Sequence, residues 1–354
     1  MKQNYKTPLL NKLGFLLSPE VAHDSYINAM KFNCIKPANE YKHQSLENNL
    51  LDRKFINPIG LAAGFDKNAA VISHLIKEPF SFLEFGTVTP KKQYGNPKPR
   101  LFRLEKDFSL INRMGFCNDG INKFIHNISK QKEKNQKNIG INIGANKDTE
   151  NYIDDYIKLL PMVANYCDYV TINISSPNTQ NLRDLEKIEL LNNLLNKITE
   201  IRDRLHNAPK IMVKLSPDIE NNQYKDITKL LISYKIDGII ISNTTTTRPK
   251  TILNKQYKCE VGGLSGAKLF ELSNKALRYI YGASEGKIPI IGCGGIMSGQ
   301  DAFEKIKLGA SLVQIYTAIV YYGMDVVNKI NQELVDLLAK NGFTTIKDAI
   351  GYNV

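Results

Sequence analysis

The chain has 354 residues, enough for one large α/β domain or two smaller ones, and its 42% hydrophobic share is ordinary for a globular protein. Lys and Arg outnumber Asp and Glu by 47 to 35, a formal charge of +12 that favours anionic partners such as a phosphate cofactor, a carboxylate substrate or an acidic membrane surface. The richness in Lys, Asn and Ile is also what genome-wide composition bias produces, and no compact Arg-rich block with interleaved aromatics supports a nucleic-acid partner.

Cys34, Cys117, Cys167, Cys259 and Cys293 are odd in number, scattered, and without a C-x-x-C pair. Neither a zinc site nor a disulfide framework is indicated, and a reducing compartment is the natural inference. No apolar run is long enough to span a bilayer, and the N-terminus lacks the apolar core and cleavage site of a signal peptide.

Residues 1–45 form a segment of their own. Leu9, Leu10, Leu13, Leu16 and Leu17 recur at helical spacing, and Ser18-Pro19-Glu20 restarts a helix, with Ser18 as cap and Pro19 in the first turn. Val21, Ala22, Tyr26, Ala29 and Met30 trace one face of that second helix. Two short amphipathic helices in a basic segment fit two uses: lying on a membrane or covering a groove, or packing as a plain helical pair on the main domain.

Residues 46–354 form the second unit, and from residue 55 a rhythm sets in. Strand-like runs occur at 58–63, 82–88, 139–143, 169–174, 211–215, 238–242, 288–292 and 312–316, most of them separated by helical patterns such as 184–205, 269–281 and 300–308. Eight strands alternating with helices predict a closed (β/α)₈ barrel. An open doubly wound sheet is the alternative, but no G-x-G-x-x-G follows the first strand. One insertion, 91–119, alternates Leu101, Arg103 and Ser109, Ile111 around Glu105-Lys106-Asp107, which predicts a β-hairpin over the barrel mouth.

In such a barrel the working residues sit at the C-terminal ends of the strands. Those ends read Ala63-Gly64-Phe65-Asp66-Lys67-Asn68, Gly86-Thr87, Asn142, Asn173 with Ser175-Ser176-Pro177-Asn178, Lys214, Ser242-Asn243-Thr244, Gly292-Cys293-Gly294-Gly295 and Tyr316-Thr317. The hairpin adds Asn112, Arg113, Met114, Gly115 and Phe116. Taken singly, each is an ordinary turn former or a solvated tip. The two lysines, five asparagines and two glycine loops gathered at one barrel end are harder to read that way. Gly292–Gly295 and Tyr316-Thr317 occupy the usual phosphate position, and Gly262–Gly266, before another helix, can add to it. Amide side chains suit a flat heterocycle with alternating N–H and C=O groups. Lys67 and Lys214 supply positive charge for a carboxylate or for a ring that becomes anionic. No His, Asp or Glu is an obvious base; Ser176 is the candidate proton acceptor, with Asp66 next.

With these residues assembled, the chain resembles the membrane-associated, quinone-using class of dihydroorotate dehydrogenases over roughly residues 15–345. The likeness rests on Ala-Gly-Phe-Asp-Lys-Asn at 63–68, Gly-Thr-Val-Thr-Pro at 86–90, Gly-Asn-Pro-Lys-Pro-Arg-Leu-Phe-Arg at 95–103 and Asn-Arg-Met-Gly-Phe at 112–116. Asn-Ile-Ser-Ser-Pro-Asn-Thr at 173–179 and Gly-Gly-Leu-Ser-Gly at 262–266 complete the series. Ser176 stands where the soluble classes carry Cys, and residues 1–45, with Glu20-x-x-His23, supply the extension those classes lack. Cys293 departs from the family, which more often has a small or β-branched apolar residue there.

The resemblance implies a flavin mononucleotide (FMN) enzyme oxidising (S)-dihydroorotate to orotate in pyrimidine synthesis, with a membrane quinone as acceptor. It implies that Ser176 takes the C5 proton while hydride passes from C6 to flavin N5. Lys67, Asn112, Arg113, Met114, Gly115, Phe116, Asn173, Asn178, Asn243 and Thr244 would bind the substrate. Ala63, Gly64, Phe65, Asp66, Lys67, Thr87, Asn142, Asn173, Lys214, Ser242, Gly266, Gly295, Tyr316 and Thr317 would hold the flavin. No metal is implied. Residues 1–45 would serve quinone access on an anionic surface, with the protein peripheral on the cytoplasmic side of the cell inner membrane. Two rivals remain at this point: a phosphate-binding barrel in which Lys214 forms a Schiff base, and a non-catalytic binding barrel.

Overall fold

The computed structural model describes residues 5–130 and 137–354. Two helices come first, α1 (Leu9–Gly14) and α2 (Pro19–Lys31). Ser18 occupies the N-cap position of α2 as expected, with Pro19 in the first turn, but its side chain makes no capping hydrogen bond. No residue of α1 is buried: Leu9 is 72% exposed and Leu16, just past the helix, 82%, while Leu10, Leu13 and Leu17 are only partly exposed.

A small hairpin follows, β1 (Asn48–Leu50) and β2 (Arg53–Phe55), turning at Leu51 and Asp52, both with positive φ. Sequence reasoning missed it because non-glycine residues rarely adopt that turn. The remaining strands in chain order are β3 (Ile59–Leu61), β4 (Phe82–Val88), β5 (Leu101–Leu104), β6 (Ser109–Asn112), β7 (Asn138–Ile143), β8 (Tyr169–Asn173) and β9 (Lys210–Leu215). They continue with β10 (Gly238–Ile241), β11 (Gly263–Gly266), β12 (Ile290–Cys293) and β13 (Leu312–Ile315).

Eight of these close into a parallel barrel, in the order β3, β4, β7, β8, β9, β10, β12, β13 and back to β3. The eight expected strands are these eight, with ends shifted by a residue or two. Flanking helices such as Ile188–Arg204, Phe270–Ser284 and Gly299–Lys307 pack Leu194, Leu277 and Phe303 against the barrel's outer face, so each strand is buried on both sides. The protein is a (β/α)₈ barrel with an N-terminal helical extension and an inserted hairpin, β5–β6.

The barrel interior is layered. Its N-terminal end is plugged by Phe55, Phe82, Tyr169, Met212, Ile240, Ile291 and Leu312, with Leu50 and Leu51 of the first hairpin packed beneath. Gly60 and Gly140 make room for this plug, since a Cβ there would stand 2.3 Å from the Phe82 ring and 2.1 Å from the Tyr169 ring. Further along the strands the inward side chains turn polar. The inserted hairpin is really a three-stranded sheet, because Gly263–Gly266 pairs with β6 as β11. That corrects the reading of 262–266 as a glycine loop. The glycines there serve close packing: a Cβ on Gly263 would fall 1.9 Å from Thr244 Oγ1.

Candidate active site

A cavity of about 490 Å³ opens at the C-terminal end of the barrel, under the hairpin sheet. Ala63, Gly64, Phe65, Asp66 and Lys67 enter it from the loop after β3, and Thr87 from β4. Asn112, Met114, Gly115 and Phe116 reach it from the hairpin, Asn173, Ser176 and Asn178 from the end of β8, and Lys214 from β9. Asn243, Thr244 and Tyr316 complete the wall. The strand ends converge because parallel strands of one barrel present the same end to the same face.

A smaller cavity of about 90 Å³ adjoins it, lined by Ser242, Gly266, Cys293, Gly294, Gly295 and Thr317. The two share Ala63, Lys214, Asn243, Thr244, Ser265 and Tyr316, so they lie side by side at the same barrel end. Gly266, Gly294 and Gly295 have φ of +85°, +105° and +83°. A Cβ on Gly295 would lie 2.4 Å from the Phe270 backbone, so only glycine fits at this wall. Cys293 is accommodated in the lining, and burial raises its thiol pKa while nearby Lys214 opposes the shift.

The floor is a hydrogen-bonded network. Thr87 Oγ1 donates to Asn142 Oδ1 (2.6 Å), and Asn173 Nδ2 donates to Thr87 Oγ1 and Asn142 Oδ1 (3.0 Å each). Asn142 Nδ2 donates to Glu84 Oε1 (2.7 Å), while Gln314 Nε2 (2.7 Å) and the Tyr169 hydroxyl (3.2 Å) donate to Glu84 Oε2. Asn243 Nδ2 reaches Asn173 Oδ1 at 3.3 Å. Asn173 is thus bonded to a whole tier of side chains, and its amide is locked in one orientation.

The substrate-side loops are clipped together. Arg183 donates from Nε to the Ser175 carbonyl (3.0 Å) and from Nη2 to the Thr244 carbonyl (2.9 Å), and its Nη1 pairs with Asp218 (2.8 Å). Across the cavity Asn178 Nδ2 donates to Asn112 Oδ1 at 3.2 Å. Lys67 and Lys214 enter no ion pair among the described residues, and Lys214 is only 5% exposed. A cation this buried without a carboxylate marks a place for an anion or an electron-rich group.

Three expected site residues spend their side chains on protein partners. Arg113 turns away from the cavity: its guanidinium pairs with Glu260 (2.5 Å), donates to the Pro99 carbonyl and lies over the Phe102 ring. Its place in the motif put it among the substrate ligands, but the alternation of β6 sends it to the opposite face of the sheet. Asp66 accepts from the backbone N–H groups of Asn68, Ala70 and Val71 (3.2, 2.9 and 2.9 Å), so it caps a turn. Burial still raises its pKa against those bonds. Asn142 lies beneath the cavity, with its amide spent on the network.

A third, largely apolar cavity of about 370 Å³ lies between α1, α2 and the barrel. Leu10, Leu13, Leu17, Ala22, Ile319 and Val320 line it, and it shares His23, Phe65, Leu101, Leu110 and Tyr316 with the first. Phe65 stands edge-on to both His23 and Tyr316 at this junction, with ring centres 5.4 and 5.9 Å apart. Burial, helped by the Lys67 charge, pulls His23 down to about 3, so its ring is neutral at physiological pH. Arg103 joins Asn11, His23 and Ser25 as a polar group of the lining; burial lowers its pKa, and Nη1 donates to the Phe15 carbonyl at 3.2 Å. Glu20 anchors α2 to the hairpin through Arg100 Nη2 at 2.6 Å.

Sequence reasoning missed Glu84 and Gln314. Each had a visible signal, a single polar residue inside a strand that is otherwise apolar, Phe82-Leu83-Glu84-Phe85 and Leu312-Val313-Gln314-Ile315. Arg183 had none, because its partners lie far away in sequence, and Arg103 showed only as part of the 95–103 motif.

The family model for dihydroorotate dehydrogenase matches residues 45–338. Among curated relatives, the chain is 41% identical over 341 residues to dihydroorotate dehydrogenase (quinone) of Rhodopseudomonas palustris strain BisA53, covering 95% of this chain and 93% of that one. It is 41% identical over 355 residues to the mitochondrial dihydroorotate dehydrogenase (quinone) of Mus musculus, covering 98% and 90%. A crystal structure of DHODH from Eimeria tenella in complex with ferulenol superposes with a TM-score of 0.90 at 35% identity, covering 95% of each chain.

Proposed function

The chain belongs to the dihydroorotate dehydrogenase family, and from that premise we propose that it oxidises (S)-dihydroorotate to orotate in pyrimidine synthesis, with FMN bound in the barrel and a membrane quinone as final acceptor. The observation that carries this reading is the pair of adjoining cavities that share the buried Lys214, with Ser176 in one and the glycine-walled recess in the other.

The residues present fit a flavin mononucleotide. Gly266 and Gly295 let the recess wall pack closely, since a Cβ on either would stand 2.4 Å from neighbouring backbone, and Thr317 Oγ1 lies at the recess, 3.1 Å from Ser265 Oγ. That recess suits the phosphate. Lys214 offers the charge for the electron-rich edge of the ring, and Ala63, Gly64, Phe65, Thr87, Ser242 and Tyr316 the remaining wall. Asn142 acts from behind that wall, through Thr87 and Asn173, while Asp66, in the wall itself, fixes the Lys67 turn. Bound flavin supplies the hydride acceptor.

The chain itself handles binding and the proton. Asn112, Asn173, Asn178, Asn243 and Thr244 present both donors and acceptors to a cyclic ureide, and Lys67 offers its free ammonium to the ring carboxylate. Met114, Gly115 and Phe116 close the site from above. Ser176 Oγ takes the C5 proton and passes its own onward through water, a route that needs the seryl hydroxyl held still. Arg183 and the Asn178 N–H hold it.

Residues 1–45 serve as the quinone entrance and 46–354 as the catalytic barrel. The apolar cavity under α1 and α2 supports this, because it meets the first cavity at Phe65 and Tyr316 and its mouth carries outward leucines. No helix among the described residues is long and apolar enough to cross a membrane. We place the chain as a peripheral protein on the cytoplasmic side of the cell inner membrane, with Lys6 and Lys12 meeting anionic lipid at about 1 kcal/mol each. Lys2, the third lysine of that group, lies outside the described residues.

Denaturing the purified protein tests the cofactor assignment. One FMN released per chain is expected; release of the dinucleotide form, or of no flavin, overturns it.

A further inference from the structure

Lys305 stands behind the smaller cavity and has no part in the reading above. It lies on the helix Gly299–Lys307, is fully buried, and forms no ion pair among the described residues. Its Nζ donates to two neutral acceptors, Ser273 Oγ at 2.7 Å and Asn274 Oδ1 at 2.8 Å, and sits 5.3 Å from the centre of the Phe270 ring. Burial pulls this ammonium down to about 7, with Cys293, Asp301 and Glu271 acting in the opposite direction. A buried cation with only neutral partners is costly, and an apolar side chain of similar volume commonly gives an equally stable fold.

What Lys305 touches leads to the glycine loop 292–295. Ser273 Oγ, which accepts from Lys305, lies 3.0 Å from both the Gly294 and the Phe270 carbonyl oxygens and donates to one of them. A Cβ built on Gly292 would stand 3.2 Å from Lys305 Cδ, and one on Gly295 would meet the Phe270 backbone. The lysine, Ser273 and Phe270 thus form the rear wall of the loop whose front lines the cavity. No group on that front carries a negative charge to balance the ammonium: the loop is Gly-Cys-Gly-Gly, and Thr317, Ser265 and Gly266 face it.

We propose that Lys305 is a positioning residue for the phosphate end of the flavin, a buried countercharge that acts through the Gly292–Gly295 loop without touching the ligand. The inference rests on the flavin reading above. It accounts for a fully buried lysine with no carboxylate in contact: Asp301 and Glu271 act on it only from a distance, and the bound phosphate completes the balance. Because the charge lies behind the glycines, it favours a phosphate over a neutral end group without narrowing the recess.

Selectivity between FMN and riboflavin, which lacks the phosphate, reads this directly. Purified full-length holoenzyme would be equilibrated with mixtures of the two flavins, freed of unbound flavin, and its bound flavin identified. Wild type should prefer FMN strongly. K305M and K305Q should each lower that preference by about tenfold or more, the scale of a partly screened charge interaction. K305Q keeps a hydrogen-bond donor, so a loss there reports the charge rather than the contact, and it carries the test if K305M does not fold. A K305Q preference within about twofold of wild type, the scale of a minor hydrogen-bond change, would overturn the inference. So would failure of both variants to fold, which would assign Lys305 to the fold alone. Wild type that holds neither flavin would defeat the cofactor reading instead, a distinguishable result.

Discussion

Ser176 Oγ accepts a hydrogen bond from the Asn178 backbone N–H at 3.3 Å. That bond occupies one lone pair and turns the hydroxyl toward the cavity, where Ser176 is 5% exposed. A serine placed this way is a weak base with a fixed orientation, and its use depends on the proton it already carries being passed on.

Ser176→Ala should leave flavin and orotate binding nearly intact and slow flavin reduction by dihydroorotate about a hundredfold or more, the loss expected for a positioned acid–base group. The wild-type rate should rise with pH, since deprotonation aids a serine base. Anaerobic stopped-flow on both proteins measures it, and an unchanged rate in Ser176→Ala would move the role to another group.

Asp66 should not be that group. Its carboxylate holds three backbone N–H groups, so Asp66→Ala should cost roughly 1–3 kcal/mol of stability, the penalty for leaving buried donors unpaired. Thermal unfolding would show the loss. A variant as stable as wild type but slow in proton abstraction would reverse the assignment.

The attachment of α2 should weaken in acid. Burial pushes the Glu20 carboxyl up, but the hydrogen bonds and charges of Arg100 and Lys98 more than offset this, so it lies below its ordinary value of 4.5. The pair's contribution is therefore full above 4.5 and is lost as pH falls through the lowered folded-state value. Limited proteolysis of the N-terminal segment should accelerate over that range in wild type, and Arg100→Ala should cleave readily at neutral pH. Equal cleavage of the two proteins at neutral pH would remove the ion pair from the anchoring of α2.

Removing residues 1–45 should separate the two half-reactions. The shortened barrel should bind flavin and be reduced by dihydroorotate, yet lose liposome binding and reoxidise slowly with a long-chain quinone. A double Leu9→Ser, Leu16→Ser variant should lose liposome binding without losing stability, because both side chains already face solvent. Equal quinone turnover by truncated and full-length proteins would leave the two helices as a structural cap.

Much of this architecture was legible in the sequence because burial on both faces writes itself as β-branched runs, as in Tyr169–Asn173. The strand ends followed from barrel geometry, which put Lys214, Asn173 and Tyr316 at one face before any coordinates. Side-chain direction was less legible. Arg113 sits in the middle of a site motif and points outward, and of the leucines at helical spacing over 9–17, Leu9 and Leu16 face out while Leu10, Leu13 and Leu17 line the apolar cavity. Periodicity gives a stripe but not what covers it. The residues that fix the site from behind, Glu84, Arg183 and Lys305, depend on contacts between distant segments. Gly262–Gly266 was misread because its glycines serve a close strand pairing, which leaves no local pattern distinct from a turn.

The central claim is that dihydroorotate reduces a flavin held in this barrel and that quinone then takes the electrons. Full-length protein mixed anaerobically with dihydroorotate and followed in the visible band of the flavin tests it most directly. The account predicts that the yellow colour bleaches as one orotate forms per chain and returns on adding a membrane quinone. A colourless protein, or a flavin that dihydroorotate leaves oxidised, would contradict it.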